Sequence, residues 1–352
     1  MKILVSAFLV AFSLTQPAVF AAATAPKADY EVVKRFQLGE LGGWDVLTVD
    51  ANKHRLFISR SDRVMVVDTQ DGKLLGTIAD TQGVHGIALV PSLGRGYTSN
   101  GRANTLTEFD LTTLKALRTL PAGGENPDVI LYDDHSRHLF TFNGRSNDAS
   151  VIDPASGKLV AVIALGGKPE FAVSDGGDQL FVNIEDTAQV KRIDTKTNKV
   201  TASWKLAGCE EPSGLALDAK HERLFSVCQN GKMAVTDART GKHVASVAIG
   251  KGPDGAGFDA ERGLVFSSNG QDGTLTIVHE DTAGSYRVLG NMVTQKSART
   301  MALDPVSHRI YTVAAEFGSA PAATKDQPRQ RPPVLEGTFN VIEIAPKTGV
   351  TP

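Results

Sequence analysis

The chain has 352 residues, of which 41% are hydrophobic and 6% aromatic, and its 39 acidic residues nearly balance its 37 basic ones. Proteins that bind nucleic acids through the phosphate backbone usually carry a basic excess or a basic stripe, so this class of partner is disfavoured. The length could hold two ordinary domains, but 34 glycines and few helical patterns indicate many short strands and turns.

Residues 1–23 are predicted to be a cleaved export signal. Lys2 precedes an apolar run over residues 3–14, and small residues offer a cleavage site that ends at Ala23. An apolar run of about 12 residues is too short to span a bilayer. We therefore expect a mature protein that is periplasmic or secreted and has no transmembrane segment.

The rest of the chain repeats one unit of about 42 residues. Each unit has an apolar strand, a strand with a central aromatic residue, a third strand that usually ends in an acid, and a fourth strand after a T-G-K type turn. The aromatic residues are Phe57, Tyr97, Phe140, Phe181, Phe225, Phe266 and Tyr311. Four antiparallel strands in about 40 residues are typical of a β-propeller blade. The Asn-Gly pairs at 100–101, 143–144, 230–231 and 269–270 are predicted to form tight hairpin turns with positive φ.

The seventh unit indicates how the ring closes. It lacks a fourth strand after FNVIEIAP, whereas residues 30–39, YEVVKRFQLG, look like the fourth strands LVAVIALG and HVASVAIG of other units. We therefore predict an all-β chain with a single seven-bladed β-propeller domain over residues 30–346, closed by the N-terminal strand. Closure would hide strand edges that would otherwise be exposed.

The repeats resemble the YVTN-repeat β-propellers. The resemblance rests on LFVN, RLFIS and RIYTV, and on a V-x-V-x-D-x-x-T-G-K block best seen in VMVVDTQDGK and AVTDARTGK. It implies an exported bacterial protein with seven blades. The family shares no catalytic motif, and related folds include calcium-dependent lactonases, quinoprotein subunits and pure binding proteins, so the resemblance indicates fold more than function.

The first strands supply the candidate site. Loops between blades and the second-to-third hairpins share one face, called the top face here, and counting back from the end of each first strand gives one residue per blade at the channel mouth. These residues are Asp45, His85, Asp128, Ser213, Asp254 and Arg299, with Glu170 at the matching Pro-acid pair of blade four.

This set predicts a ligand site on the propeller axis. The metal-ligand candidates are His85, Asp128, Glu170 and Asp254, because converging carboxylates suit calcium and a histidine would also admit zinc. Alternatively, Arg299 binds a ligand carboxylate while the acids bind hydroxyl groups. A third interpretation is that each acid only caps its own inter-blade turn.

Other rim residues extend the candidate site. Glu211 lies in the loop that enters blade five, and Glu316 lies at the base of a Pro-rich insertion at about residues 317–337 of blade seven. The insertion is either a lid over the channel or an ordinary flexible loop. Asn100, Asn143, Asn183 and Asn269 form an outer ring of either ligand-binding amides or turn formers. Every histidine except His85 is placed on the opposite, bottom face.

Cys209 and Cys228 are the only cysteines in the chain. In an exported protein an even count of two favours one disulfide. The register places Cys228 opposite Ser213, so the loop that carries Cys209 would have to bend back. A reactive or metal-binding pair is the alternative.

Three functions remain open from the sequence. We find no H-E-x-x-H, P-loop, G-x-S-x-G or C-x-x-C-H motif. The favoured hypothesis is a monomeric binding protein whose top face holds a small molecule, a metal ion or a protein partner. The alternatives are a lactonase-like, metal-dependent hydrolase or lyase at the same site, and binding of single-stranded nucleic acid. Whether the protein is an enzyme is undecided.

Overall fold

The computed structural model of the chain describes residues 29–282, 284–321 and 332–347. The predicted export signal and the middle of the blade-seven insertion lie outside these residues. The described chain forms seven four-stranded sheets in which all strand pairs are antiparallel. No helix in the described ranges is long and apolar enough to cross a membrane.

The strands fall into blades in chain order. The N-terminal strand is β1 (Tyr30–Gln37). Blade one contains β2 (Leu47–Asp50), β3 (Arg55–Arg60), β4 (Arg63–Asp68) and β5 (Leu74–Ile78). Blade two contains β6 (Val84–Val90), β7 (Arg95–Asn100), β8 (Thr105–Asp110) and β9 (Ala116–Pro121). Blade three contains β10 (Pro127–Asp133), β11 (His138–Asn143), β12 (Asp148–Asp153) and β13 (Lys158–Ala164).

The remaining blades follow the same order. Blade four contains β14 (Pro169–Ser174), β15 (Gln179–Ile184), β16 (Gln189–Asp194) and β17 (Lys199–Lys205). Blade five contains β18 (Pro212–Asp218), β19 (Arg223–Cys228), β20 (Lys232–Asp237) and β21 (His243–Ala248). Blade six contains β22 (Pro253–Asp259), β23 (Leu264–Asn269), β24 (Thr274–Thr282) and β25 (Ser285–Val293). Blade seven contains β26 (Met301–Asp304), β27 (Arg309–Ala314) and β28 (Asn340–Pro346), and short 3-10 turns occur at Ala51–Lys53 and Pro91–Leu93.

The ring is closed by the first strand of the chain. β1 pairs with β28, so that Tyr30 lies opposite Pro346 and Gln37 opposite Asn340. The first strands contact one another in the cycle β2, β6, β10, β14, β18, β22, β26 and back to β2. The predicted seven-bladed, all-β propeller and its closing strand are therefore confirmed.

The repeated aromatic residues form the packing between blades. All seven are at most 3% exposed. For example, the rings of Phe57 in blade one and Phe109 in blade two lie 6.0 Å apart. Full burial of such a side chain stabilises the fold by about 1.5–3 kcal/mol. The sequence repeat of about 42 residues therefore reflects the packing of one blade against the next.

The prediction of tight Asn-Gly turns was wrong for three of the four pairs. The second-to-third ladders of blades two, three and six end at Asn100–Thr105, Asn143–Asp148 and Asn269–Thr274, which leaves four-residue loops. Positive φ occurs at the last loop residue, at Asn104, Asn147 and Gly273, and not at the glycine of the pair. Longer loops of this kind place their left-handed residue late. Only the pair at 230–231 has its glycine in that conformation, with φ 74° at Gly231.

Candidate functional site

Cys209 and Cys228 form a disulfide, as predicted, with their Cα atoms 5.4 Å apart. Cys228 lies opposite Pro212, one residue from the predicted register. The bridge therefore ties the loop that enters blade five to the end of β19. Glu211, in this loop, is exposed.

Five first strands carry a β-bulge at the channel mouth. The ladder between first and second strands shifts after Val84, Pro127, Pro169, Pro212 and Pro253. In each case the next residue is one of those identified from the sequence: His85, Asp128, Glu170, Ser213 or Asp254. A bulge inserts an unpaired residue and re-aims its side chain, which explains how these side chains leave the sheet. Asp45 and Arg299 lie two residues before β2 and β26.

Asp45, His85 and Asp128 meet at the mouth of the channel. The Nδ1 atom of His85 lies 2.6 Å from Oδ2 of Asp45 and 3.6 Å from Oδ1 of Asp128. One ligand atom from each of the three residues falls within 4.8 Å of the others. Their side chains are 18–31% exposed, so the atoms are reachable from solvent although protein surrounds them. We call these three residues the axial triad.

Arg299 links two acids of the mouth to blade one. Its guanidinium forms ion pairs with Asp254 and with Asp45, the latter at 3.0 Å, and donates a hydrogen bond to the Trp44 carbonyl at 2.9 Å. Both terminal nitrogens of Arg299 therefore already contact protein acceptors. This arrangement favours a structural role over the capture of a ligand carboxylate.

Blade four adds two charged residues that were not identified from the sequence. The Nζ atom of Lys168 lies within hydrogen-bond distance of Oε1 of Glu170, at 2.7 Å, and forms an ion pair with Glu185. Lys168 directly precedes the Pro-acid pair. Glu185 is the first residue of the second-to-third hairpin. Blades two, three and six have a glycine at this position, Gly101, Gly144 and Gly270, so a glutamate there could have been recognised in the sequence as a functional candidate. We call the triad together with Lys168, Glu170, Glu185, Asp254 and Arg299 the axial cluster.

The axial cluster contains more acids than bases. Five carboxyl groups face Lys168, Arg299 and the imidazole of His85. Burial raises the pKa of Asp128 to about 6, assisted by Asp45 and opposed by His85. Burial, together with the negative charge of Asp128, raises the pKa of Glu170 to about 8. Burial also raises the pKa of Asp254, against the effect of Arg299.

Two groups of the cluster favour their charged forms. Burial acts against the charge of Asp45, but the hydrogen bond from His85 and the nearby Arg299 hold its pKa below the ordinary value. Burial likewise opposes a charge on His85, but Asp45 and Asp128 raise the pKa of its imidazole. The raised pKa values of Asp128, Glu170 and Asp254 indicate that the carboxylates of the axial cluster repel one another. A bound cation would reduce this repulsion.

Two glycines make room for axial side chains. A Cβ atom on Gly101 would lie 2.8 Å from Cδ2 and Nε2 of His85. A Cβ atom on Gly270 would lie 2.6 Å from Cβ of Arg299. Real Cβ contacts are not this short, so these two glycines are needed for close approach and not for turn conformation.

Several candidates from the sequence do not join the cluster. Ser213 is 3% exposed and its hydroxyl donates to the Pro253 carbonyl at 3.1 Å. The outer-ring asparagines are fully buried, and their amides bond within the fold, as in the bond from Asn143 Nδ2 to Ser150 Oγ at 2.9 Å. Asn100, Asn143 and Asn269 therefore stabilise their own hairpins, whereas Asn183 donates to the Ser213 and Gly214 carbonyls of blade five.

The base of the blade-seven insertion lies beside the mouth. The backbone pairs at Phe317 and Val334, and the Phe317 ring lies 5.9 Å from that of Trp44, the neighbour of Asp45. Glu316 is exposed and lines a rim groove of about 830 Å³ together with Arg35 and Lys296. The insertion thus reaches the loop that carries Asp45, while Glu316 stays outside the axial triad.

Known proteins are similar to the chain mainly in fold. No protein-family model matches it. Two curated relatives, each called "Uncharacterized protein YncE", come from Salmonella typhi and Salmonella typhimurium, and each is 27% identical over 187 residues. The match covers 51% of this chain and 52% of each relative, so the chain spans about half the length of the curated relatives it matches. Kuenenia stuttgartiensis hydrazine synthase superposes with a TM-score of 0.67 and 17% identity, over 83% of this chain and 95% of that one. This likeness shows the propeller fold alone.

Proposed function

We propose that the protein is an exported propeller of the YVTN-repeat type that binds a divalent metal ion at the axial triad. The observation that carries this proposal is the convergence of Asp45, His85 and Asp128 from three different blades, with ligand atoms within 4.8 Å of one another. The excess of carboxylates around the triad supports a positively charged ligand.

The donor set favours a first-row transition metal such as Zn²⁺. An imidazole nitrogen with two carboxylate oxygens suits zinc, whereas calcium takes six to eight oxygen ligands. The further oxygens that calcium would need belong to Glu170 and Asp254. Those carboxylates are already paired with Lys168 and Arg299.

Metal binding is tested most simply by titration with Zn²⁺ in a calorimeter after chelator treatment and dialysis. We expect His85→Gln and Asp128→Asn each to weaken binding by more than about tenfold, because each removes one of three protein ligands. Asp62→Asn is the matched control, since Asp62 is on the same face, 55% exposed and paired with Arg63. Equal affinity in Asp128→Asn and Asp62→Asn would reject the axial site.

A hydrolase or lyase is the second candidate. A carboxyl group with a pKa of about 8, as at Glu170, keeps its proton at neutral pH and is suited to general acid catalysis. Three protein ligands would also leave open positions on a metal for water or substrate. A screen of lactones and esters should then find a Zn²⁺-dependent activity that Glu170→Gln abolishes while Zn²⁺ affinity persists.

Export is the remaining part of the proposal. The disulfide supports it, because such bonds persist in oxidising compartments. N-terminal sequencing of the protein from its native host is expected to start at Thr24. A chain that keeps residues 1–23 and stays in the cytoplasm would contradict export.

A further inference from the structure

A second group of metal-ligating side chains lies on the bottom face, between blades five and six. Asp218 ends β18, His221 lies in the following hairpin, and Glu280 lies near the end of β24. Nδ1 of His221 is 2.6 Å from Oδ2 of Asp218 and 3.8 Å from Oε2 of Glu280. One ligand atom of each residue falls within 4.8 Å of the others, as in the axial triad.

The two carboxylates of this group are buried without a fixed cation. The side chains of Asp218 and Glu280 are 3% and 8% exposed. Within the described part of the chain, neither forms an ion pair with a lysine or an arginine, and their only basic partner is His221. Buried charges are costly unless they are paired or bind a metal.

Other buried acids in third strands form ion pairs with arginines. Glu108 of β8 is paired with Arg95 and Arg118, and Glu343 of β28 with Arg309. Glu280 instead accepts one hydrogen bond, from the Tyr286 hydroxyl to Oε1 at 2.9 Å. Its second oxygen, Oε2, has no hydrogen-bond donor among the described residues and faces His221.

The local fold provides a cavity at this place. A space of about 280 Å³ is lined by Asp218, His221, Glu280 and Asp281, among others. β24 has nine residues, whereas the third strands of blades one to five have six. The additional residues carry Glu280 and Asp281 to the wall of the cavity. Asp281 is occupied by Arg287 and His279, which leaves the other three side chains for a ligand.

The geometry points to a second site for a divalent transition metal, formed by Asp218, His221 and Glu280, with water in the remaining coordination positions. One imidazole nitrogen and two carboxylate oxygens form a donor set suited to Zn²⁺. The metal would compensate the buried negative charge, with which no lysine or arginine of the described residues forms an ion pair, although Lys220 also lines the cavity. The site is separate from the axial triad, so either can exist without the other.

The test uses the full chain with the axial triad disabled by His85→Gln and Asp128→Asn. Equilibrium dialysis against Zn²⁺ is expected to give one bound ion per chain in this background. Adding Glu280→Gln or His221→Gln should weaken that binding by more than about tenfold. Glu222→Gln is the matched control, because Glu222 adjoins His221 but its side chain is 52% exposed and outside the cavity.

Two results would overturn the inference. One is the absence of bound Zn²⁺ in the His85/Asp128 background, and the other is unchanged affinity in both Glu280→Gln and His221→Gln. Gln at 280 keeps an oxygen acceptor for Tyr286, and His221 is half exposed, so both variants should fold. Thermal unfolding in EDTA verifies this. If only the axial triad fails to bind metal, wild type and the His85→Gln/Asp128→Asn protein should bind the same number of Zn²⁺ ions per chain.

Discussion

Glu170 and Asp128 show how strongly the channel mouth disfavours further negative charge. Burial and neighbouring carboxylates raise the pKa of Glu170 to about 8 and that of Asp128 to about 6. Shifts of this kind cluster at functional sites, where stability is given up for binding or chemistry. Without a bound cation, the charged forms of these acids therefore destabilise the fold.

The first prediction concerns stability against pH. The folded protein keeps the Glu170 proton up to about pH 8, whereas an unfolded chain releases it near pH 4.5, so raising the pH through this window favours unfolding. The raised pKa of His85 acts in the same direction above pH 6.5. In EDTA, we expect Glu170→Gln to be more stable than wild type at pH 8 by roughly 1 kcal/mol or more, since each pKa unit is about 1.4 kcal/mol.

Urea unfolding at pH 5 and pH 8 measures this effect. The difference in the free energy of unfolding between Glu170→Gln and wild type should be larger at pH 8 than at pH 5. Parallel pH profiles for the two proteins would show that Glu170 is ionised across the range, and the description of the cluster would be wrong.

The second prediction concerns Gly101. Gly101→Ala places a Cβ atom against the His85 ring and should shift Nδ1 away from Asp45 and Asp128. We expect Zn²⁺ affinity to fall by about tenfold, although no metal ligand is substituted. A loss of this size is typical when a residue that orients a metal ligand is changed. Gly144→Ala is the control, because its Cβ would lie 3.2 Å from Asn126 Nδ2 and 3.7 Å from Lys168 Cε, and no residue of the axial triad is among these nearest neighbours. Equal titrations of the two variants would contradict the prediction.

At the level of the elements, the bulged first strands and the disulfide shape the rim. In five of the seven blades a bulge turns one side chain out of the ladder, and the bridge fixes the loop before β18. The disulfide closes a loop of 19 residues in sequence separation. It therefore acts on the stability of blade five and not on the axial triad.

The third prediction is that reduction destabilises the protein without loss of the metal. Removing a loop-closing bridge of this size should lower the free energy of unfolding by about 2–4 kcal/mol. Cys209→Ser with Cys228→Ser should do the same, as measured by urea unfolding, while Zn²⁺ affinity stays near the wild-type value. Two reactive thiols in the native, oxidised protein would reject the bridge.

The sequence predicted elements well where one residue type repeats for one physical reason. The aromatic repeat located the second strand of each blade, because each aromatic side chain fills the same space between blades. Counting along the first strands placed His85, Asp128 and Asp254 at the channel mouth, and the Pro-acid pair added Glu170. The bulges at these positions were not predicted. The prediction missed Lys168 and Glu185, whose role depends on the distance between two loops of blade four. It also misassigned three of the four Asn-Gly pairs, because the glycines at 101 and 270 leave space for the side chains of His85 and Arg299.

At the scale of the whole molecule, the axial cluster depends on the closed ring. Its residues come from every blade except blade five, and Arg299 of blade seven contacts Asp45 of blade one. These two blades are adjacent only because β1 completes the last sheet. The site is thus a property of the complete propeller and not of any single repeat, which explains why it has no linear motif.

The most direct test of metal binding at the axial triad is an anomalous difference map at the zinc absorption edge, from crystals grown with Zn²⁺. We expect a peak at the channel mouth about 2.0–2.2 Å from the His85 nitrogen and from carboxylate oxygens of Asp45 and Asp128. The same map from the Asp128→Asn protein should lack this peak. A mouth without a peak in crystals saturated with Zn²⁺, or a peak that persists unchanged in Asp128→Asn, would contradict metal binding at the axial triad.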